Sequence, residues 1–243
     1  MRLVGKTAVV TGGGSGIGRA TALALAAEGC RVAIGGRNLE KLRAVAAEWT
    51  GDPPILAWPV DVADRDSVGE LFRWAAAELG PIDVLVNAAG VNTKLRMLAD
   101  MPAETWDQVM AINATGAYNC LAAVLPEMRK RGAGTIVNIS SVAGKRAWLL
   151  SGVAYVASKF AMTALGMAAA LEEGPRGIRV TNIYPGEVDT PILEDRPKPL
   201  APEHRARILR AEDVAACVTF VATLPPLAHV PELVIKPVWQ DYA

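Results

Sequence analysis

The sequence has no surplus of charge of either sign. Lys+Arg and Asp+Glu both number 25 and the formal net charge is +0, which excludes the broad basic face used to engage nucleic acid or an anionic membrane. Cysteine and histidine are scarce, with three cysteines (Cys30, Cys120, Cys217) and two histidines (His204, His229). The cysteines are odd in number, lack metal-ligand spacing and sit among small or apolar residues. They read as buried thiols in a reducing compartment. No His/Cys/Asp cluster points to a metal, and both histidines lie in proline-flanked segments that read as exposed. No run approaches about 18 apolar residues, so no transmembrane helix is expected. The opening stretch Met1–Lys6 leads straight into a strand and lacks the apolar region of a signal peptide, so a cytoplasmic location is expected. There is no linker, repeat or low-complexity tract.

What is present is a globular composition, 51% hydrophobic and 21% charged over 243 residues. It suits one catalytic domain spanning 1–243 with a sizeable core. Short apolar runs read as buried strands at Thr7–Thr11, Arg31–Gly35, Ile55–Val60, Val84–Asn87, Thr135–Ile139 and Arg179–Ile183, with a last short one at Glu232–Ile235. Between them lie stretches of helical period at Gly16–Ala27, Leu39–Trp49, Ser67–Leu79, Ala103–Arg131, Gly152–Glu172 and Ala211–Ala222. Strands alternating with helices imply right-handed βαβ units. The expected fold is therefore α/β: a single Rossmann-type, doubly wound parallel sheet of about seven strands with helices on both faces. The proline-rich stretch Tyr184–Arg205 reads as an excursion from the sheet. It is expected to form a partial lid over the substrate site, around 187–210.

The first strand runs into Thr11-Gly12-Gly13-Gly14-Ser15-Gly16-Ile17-Gly18, which opens the first helix. In that context the glycines read as a dinucleotide-binding turn. Gly12 allows the tight turn, Gly16 brings backbone to the pyrophosphate at the helix N-terminus, and Gly18 permits close helix–strand packing. Gly14, Ser15 and Ile17 belong to the same phosphate-facing segment. At the end of the second strand a carboxylate would select NAD through the ribose hydroxyls. Here that place holds Gly36, followed by Arg37-Asn38, and a guanidinium there can grip a 2′-phosphate. NADP(H) is therefore favoured over NAD(H). After the third strand, Asp61-Val62 is a candidate to hold the adenine, with helix capping as the alternative role for Asp61.

Tyr155-Val-Ala-Ser-Lys159 places a phenol and an ammonium at i and i+4, on one helix face. A lysine charge about 4 Å away could lower a tyrosine pKa by about three units at an effective dielectric of about 20. The result would be a proton donor and acceptor usable near neutral pH. Burial of the phenol acts in the opposite sense, so this reading requires the lysine charge to dominate.

Together these residues resemble the short-chain dehydrogenase/reductase family over roughly Gly5–Ile192. The motifs that carry the resemblance are Thr11-Gly12-x-x-x-Gly16-x-Gly18, Asn87-Ala88-Ala89-Gly90, Asn113, Asn138-Ile139-Ser140-Ser141, Tyr155-x-x-x-Lys159, and Pro185-Gly186 with Thr190. The resemblance implies hydride exchange between a nicotinamide cofactor and a small carbonyl or secondary alcohol. In it Ser141 holds the substrate oxygen, Tyr155 transfers the proton as general acid/base, and Lys159 binds the nicotinamide ribose. Asn113, at an irregularity in the long helix before the fifth strand, supports a water-linked proton path. Asn87, Ala88, Ala89 and Gly90 lie along the cofactor, as do Pro185 and Gly186, while Val188 and Thr190 contact the carboxamide. Ser141 is chosen over Ser140 because it precedes Val142-Ala143-Gly144. The spacing from Ser141 to Tyr155, fourteen positions, is one longer than in common members, so the loop Lys145–Leu150 is expected to form a distinctive pocket wall. Asn92, Trp148, Glu187 and Ile192 are further pocket candidates. The alternative to an enzyme is an NADP(H)-binding sensor or scaffold of the same fold without turnover.

The two longest helices are apolar on more than one face, through Met162, Leu165, Met167, Ala168, Ala169 and Leu171 on one and Tyr118, Leu121, Val124 and Leu125 on the other. A helix that is apolar all round is covered on both sides, and the resemblance implies a homodimer or homotetramer built on these helices. The end of the sequence lacks the glycine-rich finish with which many members complete a second interface.

Overall fold

A computed structural model of the chain describes residues 1–241. Seven strands form one parallel sheet in the order β3-β2-β1-β4-β5-β6-β9. These are β1 (Thr7–Thr11), β2 (Arg31–Gly36), β3 (Leu56–Pro59), β4 (Val84–Asn87), β5 (Gly134–Ile139), β6 (Ile178–Pro185) and β9 (Glu232–Ile235). The order reverses between β1 and β4, which leaves a crevice beyond the carboxyl ends of those two strands, the place where open α/β sheets bind ligands. All five residues of β1 are buried. Because successive side chains face opposite sides of a sheet, Ala8 and Val10 join the core under one helical layer and Val9 joins the other.

The first layer consists of α1 (Gly16–Ala27), α2 (Leu39–Glu48) and α8 (Ala211–Ala222), contributing Leu25, Leu42, Val45, Val214 and Val218. The second consists of α3 (Arg65–Leu79), α5 (Gly116–Arg131) and α6 (Val153–Glu173), contributing Leu71, Leu121, Val124 and Ala169. Sequence signals set the ends of α3: the Asp64 carboxylate accepts from the Asp66 amide at 2.9 Å, and Gly80 closes the helix at φ 85°. The long helical stretch after β4 is α4 (Ala103–Met110) joined to α5 by a π-helical turn at Ala111–Thr115. Asn113 therefore lies at an irregularity, a feature common near functional sites. By length and mean hydropathy, 1.3 and 1.4, the helical stretches Ala103–Arg131 and Val153–Arg176 could each cross a membrane. Here both line the sheet.

Three expectations need correction. Strand β6 continues through Tyr184 and Pro185, because β9 pairs with both, so the excursion begins at Gly186. It is also less irregular than its prolines suggest. The two-residue strands β7 (Val188–Asp189) and β8 (Leu209–Arg210) pair in parallel across it, and a single turn, α7 (Pro202–Arg205), lies between them. Cys30 and Cys120 are buried, but Cys217 is only half-buried, since it borders the first core without entering it.

Candidate active site

The glycine turn and the ends of β2, β3 and β4 enclose a trough in two continuous sections. The first, about 240 Å³, is lined by Gly12, Gly14, Ser15, Arg37, Asn38, Asp61, Val62, Ala89 and Gly90. The second, about 450 Å³, is lined by Gly12, Ser15, Gly16, Ile17, Gly18, Arg37, Ala88 and Gly90, and reaches Ser141, Tyr155, Lys159, Pro185, Gly186, Val188 and Thr190. Gly12 has φ 69°, and a Cβ on Gly18 would lie 2.3 Å from the Gly12 carbonyl oxygen. The turn can fold this tightly only with glycine at both places.

The donor set fits a phosphorylated dinucleotide. Gly36 leaves the end of β2 without an acid, while the Arg37 head makes no ion pair or hydrogen bond among the described residues. The Lys41 ammonium, unremarked in the sequence, lines both sections beside it and is equally free of partners. Asn38 caps α2, its side chain accepting from the Lys41 amide at 3.0 Å. Asp61 accepts from the Ala63 amide at 3.0 Å, and the capping of α3 falls to Asp64.

Two of the expected site residues, Asn87 and Asn113, are buried and do not line the trough. Asn87 is buried and donates to Asn138 at 3.0 Å, Asn138 donates to Asn182 at 3.0 Å, and Asn182 donates to the Thr163 carbonyl of α6 at 3.0 Å. This amide ladder crosses the ends of β4, β5 and β6, so Asn87 faces the sheet and not the trough. Asn113 is likewise fully buried. Its Oδ1 accepts from the Val91 amide at 2.8 Å, and its Nδ2 donates to the Val91 carbonyl at 2.9 Å and to Ser158 Oγ at 3.0 Å. Asn113 thus fixes the segment after β4 against the helix that carries Tyr155.

Beside the trough, a cavity of about 120 Å³ is lined by Ser141, Tyr155 and all four pocket candidates, Asn92, Trp148, Glu187 and Ile192. The two serines differ in their contacts. Ser140 meets the Lys159 carbonyl at 3.2 Å and Thr163 Oγ1 at 3.1 Å, whereas Ser141 accepts from the Ala143 amide at 3.1 Å and lines the cavity with Tyr155. Trp148 brings the Lys145–Leu150 loop into the wall, as the longer spacing predicts. Sequence reasoning missed Arg96, Arg196 and Gln240, which share this lining. Gln240 is buried and accepts from the Glu187 amide at 3.0 Å, and Trp239 Nε1 donates to the Arg207 carbonyl at 2.7 Å, so the tail braces the lid. His204 is not simply exposed: its Nε2 lies 3.0 Å from Glu187, which Arg196 also meets at 2.7 Å. His229 is exposed, with Nε2 2.9 Å from the Val180 carbonyl.

The electrostatics differ from the simple pair. Burial is the largest influence on Tyr155 and raises its pKa. The Ser141 hydroxyl and the charge of Arg96 act to lower it. Lys159 is buried, donates to the Ile139 carbonyl at 2.8 Å, and lies 5.6 Å from the Tyr155 ring centroid. Burial brings its own pKa down to about 8. In this state the lysine charge does not dominate the phenol, contrary to the requirement set by the sequence reading.

Lys159 carries a stability signature. Its folded pKa lies below the unfolded value of about 10.4, so between about pH 8 and pH 10 the unfolded chain binds more protons. Stability from this group therefore rises with pH through that window. Cys30 and Cys120, pushed up to about 12 by burial, act in the opposite direction, so the measurement is a difference. Denaturant unfolding of the parent minus that of Lys159→Met should gain on the order of 2–3 kcal/mol from pH 7.5 to pH 10. A flat difference would contradict the buried charge.

Known proteins resemble this chain over most of its length. The family model described as short chain dehydrogenase matches residues 6–200. A glycine betaine reductase of Emericella nidulans is 38% identical over 97% of this chain, which spans only 19% of that protein's length. The closed form of a serine dehydrogenase complexed with NADP+ superposes with TM-score 0.88 at 30% identity, covering 98% of this chain and 97% of the other. A 3-ketoacyl-(acyl-carrier-protein) reductase from Brucella melitensis complexed with NADH does so with TM-score 0.88 at 28% identity, covering 96% and 98%. With its parallel sheet, its glycine turn and this match over most of its length, the chain belongs to the short-chain dehydrogenase/reductase family of oxidoreductases.

Proposed function

We propose that residues 1–243 act as one NADP-dependent catalytic domain, with the 187–210 segment as its lid, exchanging hydride with a small carbonyl or secondary alcohol. The observation that carries this reading is the convergence of Ser141 and Tyr155 on one cavity of about 120 Å³ that opens beside the trough. When bound, the nicotinamide supplies or accepts the hydride. Ser141 holds the substrate oxygen, Tyr155 gives its proton to that oxygen in reduction and takes it back in oxidation, and Lys159 holds the ribose. Asn113 is assigned to a water-linked proton path, a role supported by its place in the π-helical turn between Val91 and Ser158. The buried surroundings keep the phenol protonated at neutral pH, which suits reduction. The test is a carbonyl and alcohol panel assayed with NADPH and NADP+. Absence of turnover with tight cofactor binding would favour the sensor reading.

The preference for NADP(H) rests on Arg37 and Lys41, two free cations where an acid would select NAD(H). Arg37→Ala is expected to weaken NADPH binding by about tenfold or more while changing NADH binding less than threefold, as read by calorimetry. Tighter NADH than NADPH binding in the parent would overturn the preference. A homodimer through α5 and α6 is proposed on the same footing. Tyr118, Phe160, Met167 and Leu171 remain 48%, 42%, 50% and 82% exposed on their outer faces.

A further inference from the structure

Arg96 is only 5% exposed and, among the described residues, makes no ion pair within 4 Å. Its guanidinium instead meets three backbone carbonyls on three separate segments. Nε donates to Thr93 at 2.8 Å in the segment after β4, Nη1 donates to Leu150 at 2.7 Å in the loop before α6, and Nη2 donates to Asp195 in the lid. Its own carbonyl accepts from the Val153 amide at 3.2 Å, at the first residue of α6. These segments supply most of the wall around Tyr155, and Arg96 lines the same cavity as the phenol. A buried guanidinium is costly to desolvate, and its planar fork meets several acceptors at fixed angles in a way that a lysine cannot.

We propose that Arg96 is a positioning residue of this enzyme: it clips the lid and the loop before α6 onto the segment after β4, and in doing so sets a fixed positive charge in the wall of the Tyr155 cavity. The clip is a property of the fold, whereas the effect on turnover rests on the function proposed above. The charged groups facing Tyr155 are Lys159 on its own helix, Arg96, and Glu187, Asp195 and Arg196 on the lid. The segment after β5 contributes the Ser141 hydroxyl, and the tail contributes the uncharged Gln240. Glu187 is engaged by Arg196 and His204, and Lys159 by the Ile139 carbonyl. Arg96 is the cation whose charge lowers the pKa of the phenol.

Clip and charge separate in two variants. Arg96→Gln loses both, whereas Arg96→Lys keeps the charge and loses the three-way clip. In the cofactor-free protein, hydrogen exchange of lid amides 188–196 should quicken about tenfold in both variants. Ultraviolet titration of Tyr155, each variant read against its own Tyr155→Phe partner, should move up by about one unit in Arg96→Gln and stay near the parent value in Arg96→Lys. With a substrate from the panel, KM should rise about tenfold in both variants while NADPH affinity stays within about twofold of the parent. Parent-like lid exchange in Arg96→Gln, or a phenol titration unmoved by it, overturns the proposal. Should Arg96→Gln fail to fold, lid exchange in Arg96→Lys decides, and protection equal to the parent counts against the clip. Exchange and titration need no turnover, so failure of the oxidoreductase reading leaves both results interpretable.

Discussion

Tyr155→Phe is expected to lower turnover about a thousandfold while leaving NADPH affinity within about twofold of the parent. Phenylalanine fills the same space, so Ser141 and the cavity walls keep their places, and the loss isolates the proton. The pH dependence carries the sign. In the proposed mechanism reduction uses the protonated phenol, whose pKa is raised by burial, so the reductive rate should hold across the neutral range and fall only on the alkaline side. Oxidation would use the phenolate and should climb with pH. Lys159, with a pKa of about 8, sheds its charge within that climb, so the oxidative profile should turn over. Retained turnover in Tyr155→Phe would remove the residue from the mechanism, and a reductive optimum that rises above pH 9 would reverse its assigned role.

Gly166→Ala is expected to destabilise the fold by about 2–4 kcal/mol and to lower activity in the fraction that remains folded. The methyl group has nowhere to go. A Cβ at Gly166 would lie 2.0 Å from Asn182 Oδ1 and 2.7 Å from Asn138 Nδ2. Those are two rungs of the amide ladder that ties α6 to the sheet, and α6 carries both Tyr155 and Lys159. Either the helix lifts or the ladder breaks, leaving buried amides without partners. Denaturant unfolding measures the loss, and a midpoint within error of the parent would show that α6 does not seat on the ladder as described.

Parts of this were plain in the sequence, for reasons that can be named. Strand β1 is legible because Thr7–Thr11 is a short apolar run ending in glycines, and the turn after it because Gly12, Gly16 and Gly18 fall where strand meets helix. Tyr155 and Lys159 were legible as a pair because helical spacing guarantees a shared face. Their electrostatics were not, because the fold aims the ammonium at the Ile139 carbonyl and buries it. The Asn87 side chain is not legible in the sequence because one step along the chain changes the face: it joins the amide ladder while Ala88 meets the trough. The pairing of β7 with β8 has no local signal, since two residues cannot show a period. Arg96 was invisible because its partners are backbone carbonyls, which every residue possesses. Gln240 reaches the cavity from far along the chain, and only the pairing of β9 with β6 brings it there.

The reversal of strand order between β1 and β4 divides the chain's decisions along its length. Most of the side chains that would grip the adenosine end lie between Gly12 and Val62, while those that shape the substrate cavity begin at Asn92 and continue to Gln240. A hybrid joined to a relative between Val62 and Asn92 would therefore inherit its cofactor preference from one parent and its substrate range from the other, so laboratory recombination can treat the two traits as separable.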